Sequence, residues 1–226
     1  AMIDMTVKLP SDVKGTHMSR FLEVLQNQHA PLEFDSVKTL MSTMLDRLEA
    51  TEGHIDMKMP LFLNKVAPVS GVESLLDYDL HIKAAFEKGA LRYTLQVQVP
   101  VTSLCPCSKK ISEYGAHNQR SHVTMSVELD PQTKMTVEDL VAAAESQASS
   151  ELWGLLKRTD ERHVTMQAYD NPVFVEDVVR NAAALLRADA RIDSFTVRAV
   201  STNLKPCQSS PSGCMISPSW SLCTVT

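Results

Sequence analysis

Two cysteines separated by one residue, Cys105 and Cys107, and a histidine twelve positions after the first, His117, are the groups in this chain best suited to chemistry. One thiolate can ligate a metal with the other as its neighbour. Alternatively, one is a reactive thiol whose pKa is lowered by Lys109, Lys110 or a metal, or both are small residues at a strand end. The spacing is not the Cys-x-x-Cys of a zinc ribbon or a thioredoxin-like site. An imidazole suits Zn²⁺ and related ions, although a lone loop histidine is usually just solvated and a gap of twelve is not a diagnostic spacing. A catalytic metal takes about three protein ligands and keeps an open position, so a third ligand must come from elsewhere. Asp160-Glu161-Arg162-His163, read as a polar loop, offers Glu161, with ordinary solvation as the alternative. Glu176 falls in the first turn of an expected helix. There it either complements the helix dipole or accepts hydrogen bonds from a substrate's N–H groups. Lys14, His17 and Arg20 surround Gly15 and read as a phosphate site near a helix N-terminus or as plain surface charge.

The elements that must position these groups follow from periodicity. Ile3 to Leu9 alternates as a strand. A helix is expected over about Ser19–Gln28, and Pro31 breaks the chain. Asp35 or Ser36 caps a second helix, with Val37, Leu40, Met41, Met44, Leu45 and Leu48 on one face and Gly53 as its stop. Strand patterns run from Ile55 to Phe62, Tyr78 to Phe86, Leu91 to Val101 and Val123 to Leu129, with Lys88-Gly89 as a hairpin turn. Between the last two strands lies the Cys/His segment, a ligand-rich loop held by a sheet. Thr136 and Asp139 form a capping box, with Met135 as its staple, for a helix reaching about Lys157. Asn171-Pro172 reads as the N-cap and N1 of another helix, and Ile192 to Val200 as a strand. Strand, helix, helix, strand thus occurs twice, a repeat of pattern that suggests two similar α+β modules. Residues 203–226 show no periodicity and are rich in Ser, Pro and Cys, the composition of a disordered end.

Composition narrows the function classes. The 226 residues are 44% apolar and 22% charged, ordinary for a globular protein with a real core. A net charge of −5 gives no positive field for non-specific nucleic-acid binding, so an anionic substrate must meet a few local cations. No apolar run is long enough for a bilayer-spanning helix, and Ala1-Met2-Ile3-Asp4 does not look like a signal peptide. Five cysteines, an odd number, favour free or metal-bound thiols in a reducing cytoplasm over a disulfide framework.

Four segments together resemble the type IB GTP cyclohydrolase I family: Val101-Thr-Ser-Leu-Cys-Pro-Cys-Ser-Lys109, Ser112-x-Tyr-Gly-Ala-His-Asn-Gln-Arg-Ser121, Lys14-Gly-Thr-His-Met-Ser-Arg20 and Ala168-Tyr-x-Asn-Pro-x-Phe-Val-Glu-Asp177. The resemblance covers about residues 2 to 200. It implies an α+β tunnelling fold, with two antiparallel-sheet-plus-two-helix modules per chain and sheets joined into barrels by oligomerisation, as a homotetramer. The modules would span 1–101 and 102–202, with 203–226 an atypical tail. The implied reaction converts GTP and water to 7,8-dihydroneopterin triphosphate and formate, the first step toward folate and some modified tRNA bases. The resemblance also implies a divalent metal (zinc, manganese or iron) on Cys105, His117 and Glu161. Cys107 would then lie near the reacting carbon, and Glu176 would anchor the guanine ring.

The sequence departs from the family twice. It looks short before the first strand. After the last strand, the family's Glu-Ser-Ile-His-x-His type segment is replaced by Thr202-Asn-Leu-Lys-Pro-Cys-Gln208, which has the character of a replaced or out-of-frame end. A protein with this end could bind metal yet turn over weakly. Two other readings are therefore another tunnelling-fold purine or pterin enzyme, such as a nitrile reductase with a cysteine nucleophile, and a GTP-binding oligomer without catalysis. The first lacks the expected Glu-Ser-Leu-Lys type motif after the cysteine.

Overall fold

The computed structural model describes residues 1–9, 11–12, 15–26, 34–129, 135–201 and 221–225. Among these, seven strands form one antiparallel sheet in simple chain order: β1 (Met2–Val7), β2 (Gly53–Val66), β3 (Glu73–Glu87), β4 (Ala90–Leu104), β5 (Asn118–Leu129), β6 (Ile192–Ser201) and β7 (Ser221–Val225). Helices α1 (Met18–Gln26) and α2 (Phe34–Leu48) lie between β1 and β2. The short α3 (Pro106–Ile111) joins β4 to β5, and α4 (Val137–Glu145), α5 (Arg158–Asp170) and α6 (Val175–Ala188) precede β6. No helix among the described residues is long and apolar enough to cross a membrane.

Period-two alternation decides which sheet face is covered. Met57, Ile82, Val97, Val99, Val123, Met125, Val197 and Ala199 are fully buried or nearly so, and pack with Val37, Met41 and Met44 of α2, Leu140 and Ala144 of α4, and Val178, Ala182 and Leu186 of α6. Burying each larger side chain contributes about 1.5–3 kcal/mol. The intervening residues, among them Asp56, Lys83, Gln96, Gln98, Thr124 and Arg198, face the other way and stay half-buried or exposed. Lys88 and Gly89 have φ of 52° and 79°, the paired left-handed residues of the expected hairpin turn.

Several expected boundaries move. Helix α2 stops at Leu48 because Glu49 turns left-handed (φ 53°) and the Ala50 N–H donates to the Leu45 carbonyl, 3.0 Å, a Schellman-type end. Gly53 instead opens β2, where a Cβ would lie 2.7 Å from Met44 Cε. The capping box forms as expected: the Asp139 N–H donates to Thr136 Oγ1 (3.2 Å) and the Thr136 N–H to Asp139 Oδ2 (3.3 Å). Its helix, however, ends at Glu145 rather than near Lys157. Ser149 and Ser150 leave it to pair with β4: the Thr102 N–H donates to the Ser150 carbonyl and the Ser149 N–H to the Thr102 carbonyl, both 3.0 Å. Asp160 to His163 are not a loop but the beginning of α5. Asn171 closes that helix instead of opening the next; its Nδ2 donates to the Ala148 carbonyl (2.9 Å), and α6 begins at Val175. Residues 101 and 102, where the two modules would meet, lie in β4. The tail is not wholly without structure, since Ser221–Val225 pairs with β6. The expected helix end at Gln28, the Pro31 break, Lys14 and residues 203–220 lie outside the described residues.

Candidate metal and substrate site

The β4–β5 ladder brings the two strongest ligand candidates together. Its register pairs Thr102 with Arg120 and Leu104 with Asn118. One step further on, Cys105 faces His117, and the Cys105 N–H donates to the His117 carbonyl at 3.2 Å. Side chains directly opposite across an antiparallel pair share a face, with Cβ atoms about 5 Å apart. That face is the helix-covered one. Its inward row runs Val97, Val99, Val101, Ser103 and then Cys105 on β4, and Val123, Ser121, Gln119 and then His117 on β5. The apolar core thus gives way to hydroxyls and then to metal-ligating groups at the sheet's end. Ser103 and Ser121 satisfy each other where core and site meet, Oγ to Oγ at 3.0 Å.

Ser108 locks this end. Its hydroxyl donates to the Cys105 carbonyl (2.9 Å) and accepts from the His117 N–H (3.1 Å). It sits in α3, which Pro106 starts and Cys105 precedes as N-cap residue. The expected irregular loop is therefore one short helix plus an extension of both strands. Cys105 is half-buried and Cys107, in the first turn of α3, is exposed; both are free thiols.

Glu176 belongs to the same neighbourhood. The Val173 N–H donates to the Leu104 carbonyl at 3.1 Å, which docks the start of α6 beside Cys105. Glu176 lies in the first turn of α6, half-buried. Among the described residues no hydrogen bond or ion pair engages its carboxylate. Lys109 closes the other side: its Nζ donates to the Tyr169 carbonyl (2.5 Å) and lies 4.1 Å from the centre of the Tyr169 ring.

Glu161 is not brought to this pair within the chain. It is exposed, in the first turns of α5. Tyr169, which contacts Lys109, is eight residues further along, about 12 Å at 1.5 Å per residue. The neighbouring Asp160 shows where that helix end is fixed. Its fully buried carboxylate accepts from the N–H groups of Val69 (2.9 Å), Ser70 (2.8 Å) and Lys157 (2.8 Å) and from Ser70 Oγ (2.6 Å). Burial alone would push the Asp160 pKa up, but these four hydrogen bonds outweigh it and hold the carboxyl well below the usual carboxylate range. Among the described residues no group of three His, Cys, Asp or Glu side chains is close enough to hold a metal. Cys105 and His117 offer the thiolate and imidazole that suit a borderline ion such as zinc.

Of the three residues read as either a phosphate site or surface charge, Lys14 lies outside the described residues. Arg20 is committed to the end of α2, where its Nη1 donates to the Arg47 carbonyl (3.0 Å) and meets Glu49 (3.4 Å). His17 is exposed. Ser108, Gln119 and Ser201 were not singled out from the sequence. Gln119 and Ser201 continue the inward alternation of β5 and β6, a readable signal, whereas nothing in the local pattern marks Ser108.

Residues 1–203 match the family model described as Type I GTP cyclohydrolase folE2. The chain is 57% identical over 201 residues to the GTP cyclohydrolase FolE2 of Polynucleobacter asymbioticus, covering 87% of this chain and 74% of that protein. It is 55% identical over 196 residues to the GTP cyclohydrolase FolE2 of Cupriavidus pinatubonensis, covering 87% and 72%. Among solved structures, uricase from Arthrobacter globiformis superposes with a TM-score of 0.51 at 10% identity, over 99% of this chain and 84% of that one. At that identity the likeness is one of fold, the tunnelling fold.

Proposed function

From the premise that this chain belongs to the type I GTP cyclohydrolase folE2 family and is a GTP cyclohydrolase of folate biosynthesis, we propose how its own residues serve the reaction. GTP is hydrolysed to 7,8-dihydroneopterin triphosphate and formate. In this reading Cys105 and His117 hold a divalent metal, and Glu161 joins them when the chain assembles into a homotetramer. The observation that supports it most is the placement of Cys105 opposite His117 on one ladder step, with the start of α6, whose first turn carries the unpartnered Glu176, docked on the neighbouring Leu104 through Val173.

A divalent ion held there supplies the Lewis acidity that makes water a competent nucleophile near pH ~7. The protein does the rest. Glu176 accepts hydrogen bonds from guanine N–H groups, which orients the ring and discriminates against adenine, whose matching edge cannot satisfy the carboxylate in the same way. Cys107, exposed on the first turn of α3 two residues after Cys105, would lie near the carbon that leaves as formate. Ser108 fixes the spacing of Cys105 and His117 through the backbone, so both ligands move as one unit. A free thiol ligand is favoured by a reducing compartment, which supports a cytoplasmic location.

The test is formate release from GTP by protein supplied with zinc, manganese or iron(II), beside Cys105→Ala. Formate from the parent and at least a 10³-fold loss in the variant is expected. GTP bound by the metal-supplied parent without formate, or equal formate from both proteins, would overturn the assignment.

A further inference from the structure

His117 has a second contact that the reaction scheme does not use. Its Nδ1 lies 3.2 Å from the amide nitrogen, Nε2, of Gln119, two residues on along the same face of β5. The Gln119 amide oxygen, Oε1, accepts from Ser201 Oγ at 2.5 Å. Ser201 is 2% exposed and closes β6, paired with Ser121. A carboxamide gripped at both ends, by a buried hydroxyl and by an imidazole nitrogen, has little freedom. The oxygen and nitrogen of the amide are near-equal in size, and a serine hydroxyl both donates and accepts. Exchanging the two amide atoms therefore preserves both contacts.

We infer that Gln119, braced by Ser201, is the positioning residue for His117: with its amide atoms exchanged from the orientation in the structure, its oxygen accepts from Nδ1–H and its nitrogen donates to Ser201 Oγ, leaving the Nε2 lone pair of His117 as the ligating position. The orientation of a histidine ligand is commonly set in this way, by an acceptor on its other ring nitrogen, and loss of that acceptor typically weakens metal binding by about 10–100-fold. The consequence for metal affinity rests on the metal reading above; the fixing of the ring does not. It also links the last residue of β6 to His117 through two hydrogen bonds.

The first readout uses metal-free protein with ¹⁵N-labelled histidine. His117 of the parent should show one tautomer, protonated at Nδ1. In Gln119→Leu both ring nitrogens should move toward the averaged values of a freely exchanging ring, and Gln119→Glu, which keeps the acceptor, should restore the parent pattern. Ser201→Ala, a smaller change, should give partial averaging. The second readout is cobalt(II) binding, followed through the thiolate-to-cobalt charge-transfer band. Its Kd should rise about 10–100-fold in Gln119→Leu and stay within a few-fold in Gln119→Glu. A purely structural role for Gln119 would lower Tm without altering the tautomer. Identical His117 ring shifts in parent and Gln119→Leu, or a parent ring protonated at Nε2, would overturn the inference. A fixed Nδ1–H tautomer with no cobalt band in the parent would leave it standing and sink the metal reading instead.

Discussion

Asp160 and Glu176 are both carboxylates in the first turn of a helix, where the dipole favours negative charge, and the protein treats them in opposite ways. Asp160 is fully buried and accepts four hydrogen bonds, three from backbone N–H groups. Glu176 is half-buried in the first turn of α6, just after the Val173 N–H bonded to the Leu104 carbonyl, and no described residue engages its carboxylate. A carboxylate whose lone pairs are already used has nothing left for a substrate. One desolvated on one side and left unpartnered is ready to receive N–H donors. Hydrogen-bond saturation, rather than position in the helix, separates the structural acid from the one proposed to bind substrate.

The largest effect should come from removing the open acceptor. Glu176→Ala should lower kcat/KM for GTP by about 10³-fold or more, because a site built to hydrogen-bond its substrate loses that discrimination wholesale. Its Tm should remain within about 2 °C of the parent. An equal fall in activity and stability would place Glu176 in the same class as Asp160. Glu161→Gln should come next, with metal affinity weakened by about 10-fold or more and Tm unchanged, since its side chain is exposed in the chain alone. Equilibrium dialysis against zinc would measure it, and unaltered affinity would remove Glu161 from the ligand set.

Asp160→Asn should act on stability. Losing a buried, multiply bonded carboxylate should lower Tm by roughly 10 °C, while the protein that remains folded still binds GTP. The pH dependence gives a sharper signature. The folded-state pKa of Asp160 lies below its unfolded value of about 3.9. Its stabilisation is therefore present above pH ~4 and lost as pH falls toward the folded value. The Tm gap between parent and Asp160→Asn should be constant from neutral pH down to about 5 and narrow below about 4; a gap independent of pH would contradict that. The smallest expected change is Gly53→Ala, where the new Cβ meets the flexible end of Met44 at 2.7 Å. A cost of about 1 kcal/mol by denaturant unfolding is expected, at the mild end of overpacking.

The sheet was largely legible because alternation is a strong signal in β3, β4 and β5. It failed at their ends for a physical reason. The inward rows continue with Ser103 and Ser121, which satisfy each other by a hydrogen bond rather than by apolar contact, so a hydrophobic pattern stops at Val101 and resumes at Val123 although the ladder does not. Those few unseen steps are what place Cys105 opposite His117. Had the register been continued from Val99 opposite Val123, the pairing was available in the sequence. Helix α5 was missed because Asp160 and Ala168 are its buried residues, leaving no apolar stripe to announce it. Asn171-Pro172 misled because Asn171 spends its side chain on the Ala148 carbonyl. The chemistry-bearing residue types were visible throughout. Which carboxylate was saturated was not, since the partners of Asp160 at Val69 and Ser70 are some ninety positions away.

The most direct measurement is the ratio of GTP to ATP affinity in metal-free protein, by calorimetry, for the parent, Glu176→Gln and Asp160→Asn. The account predicts that Glu176→Gln binds GTP about 100-fold more weakly and loses its preference over ATP. Asp160→Asn, measured below its lowered Tm, should keep both affinity and preference within a few-fold. A Glu176→Gln protein that binds GTP with the parent's affinity and selectivity would contradict it.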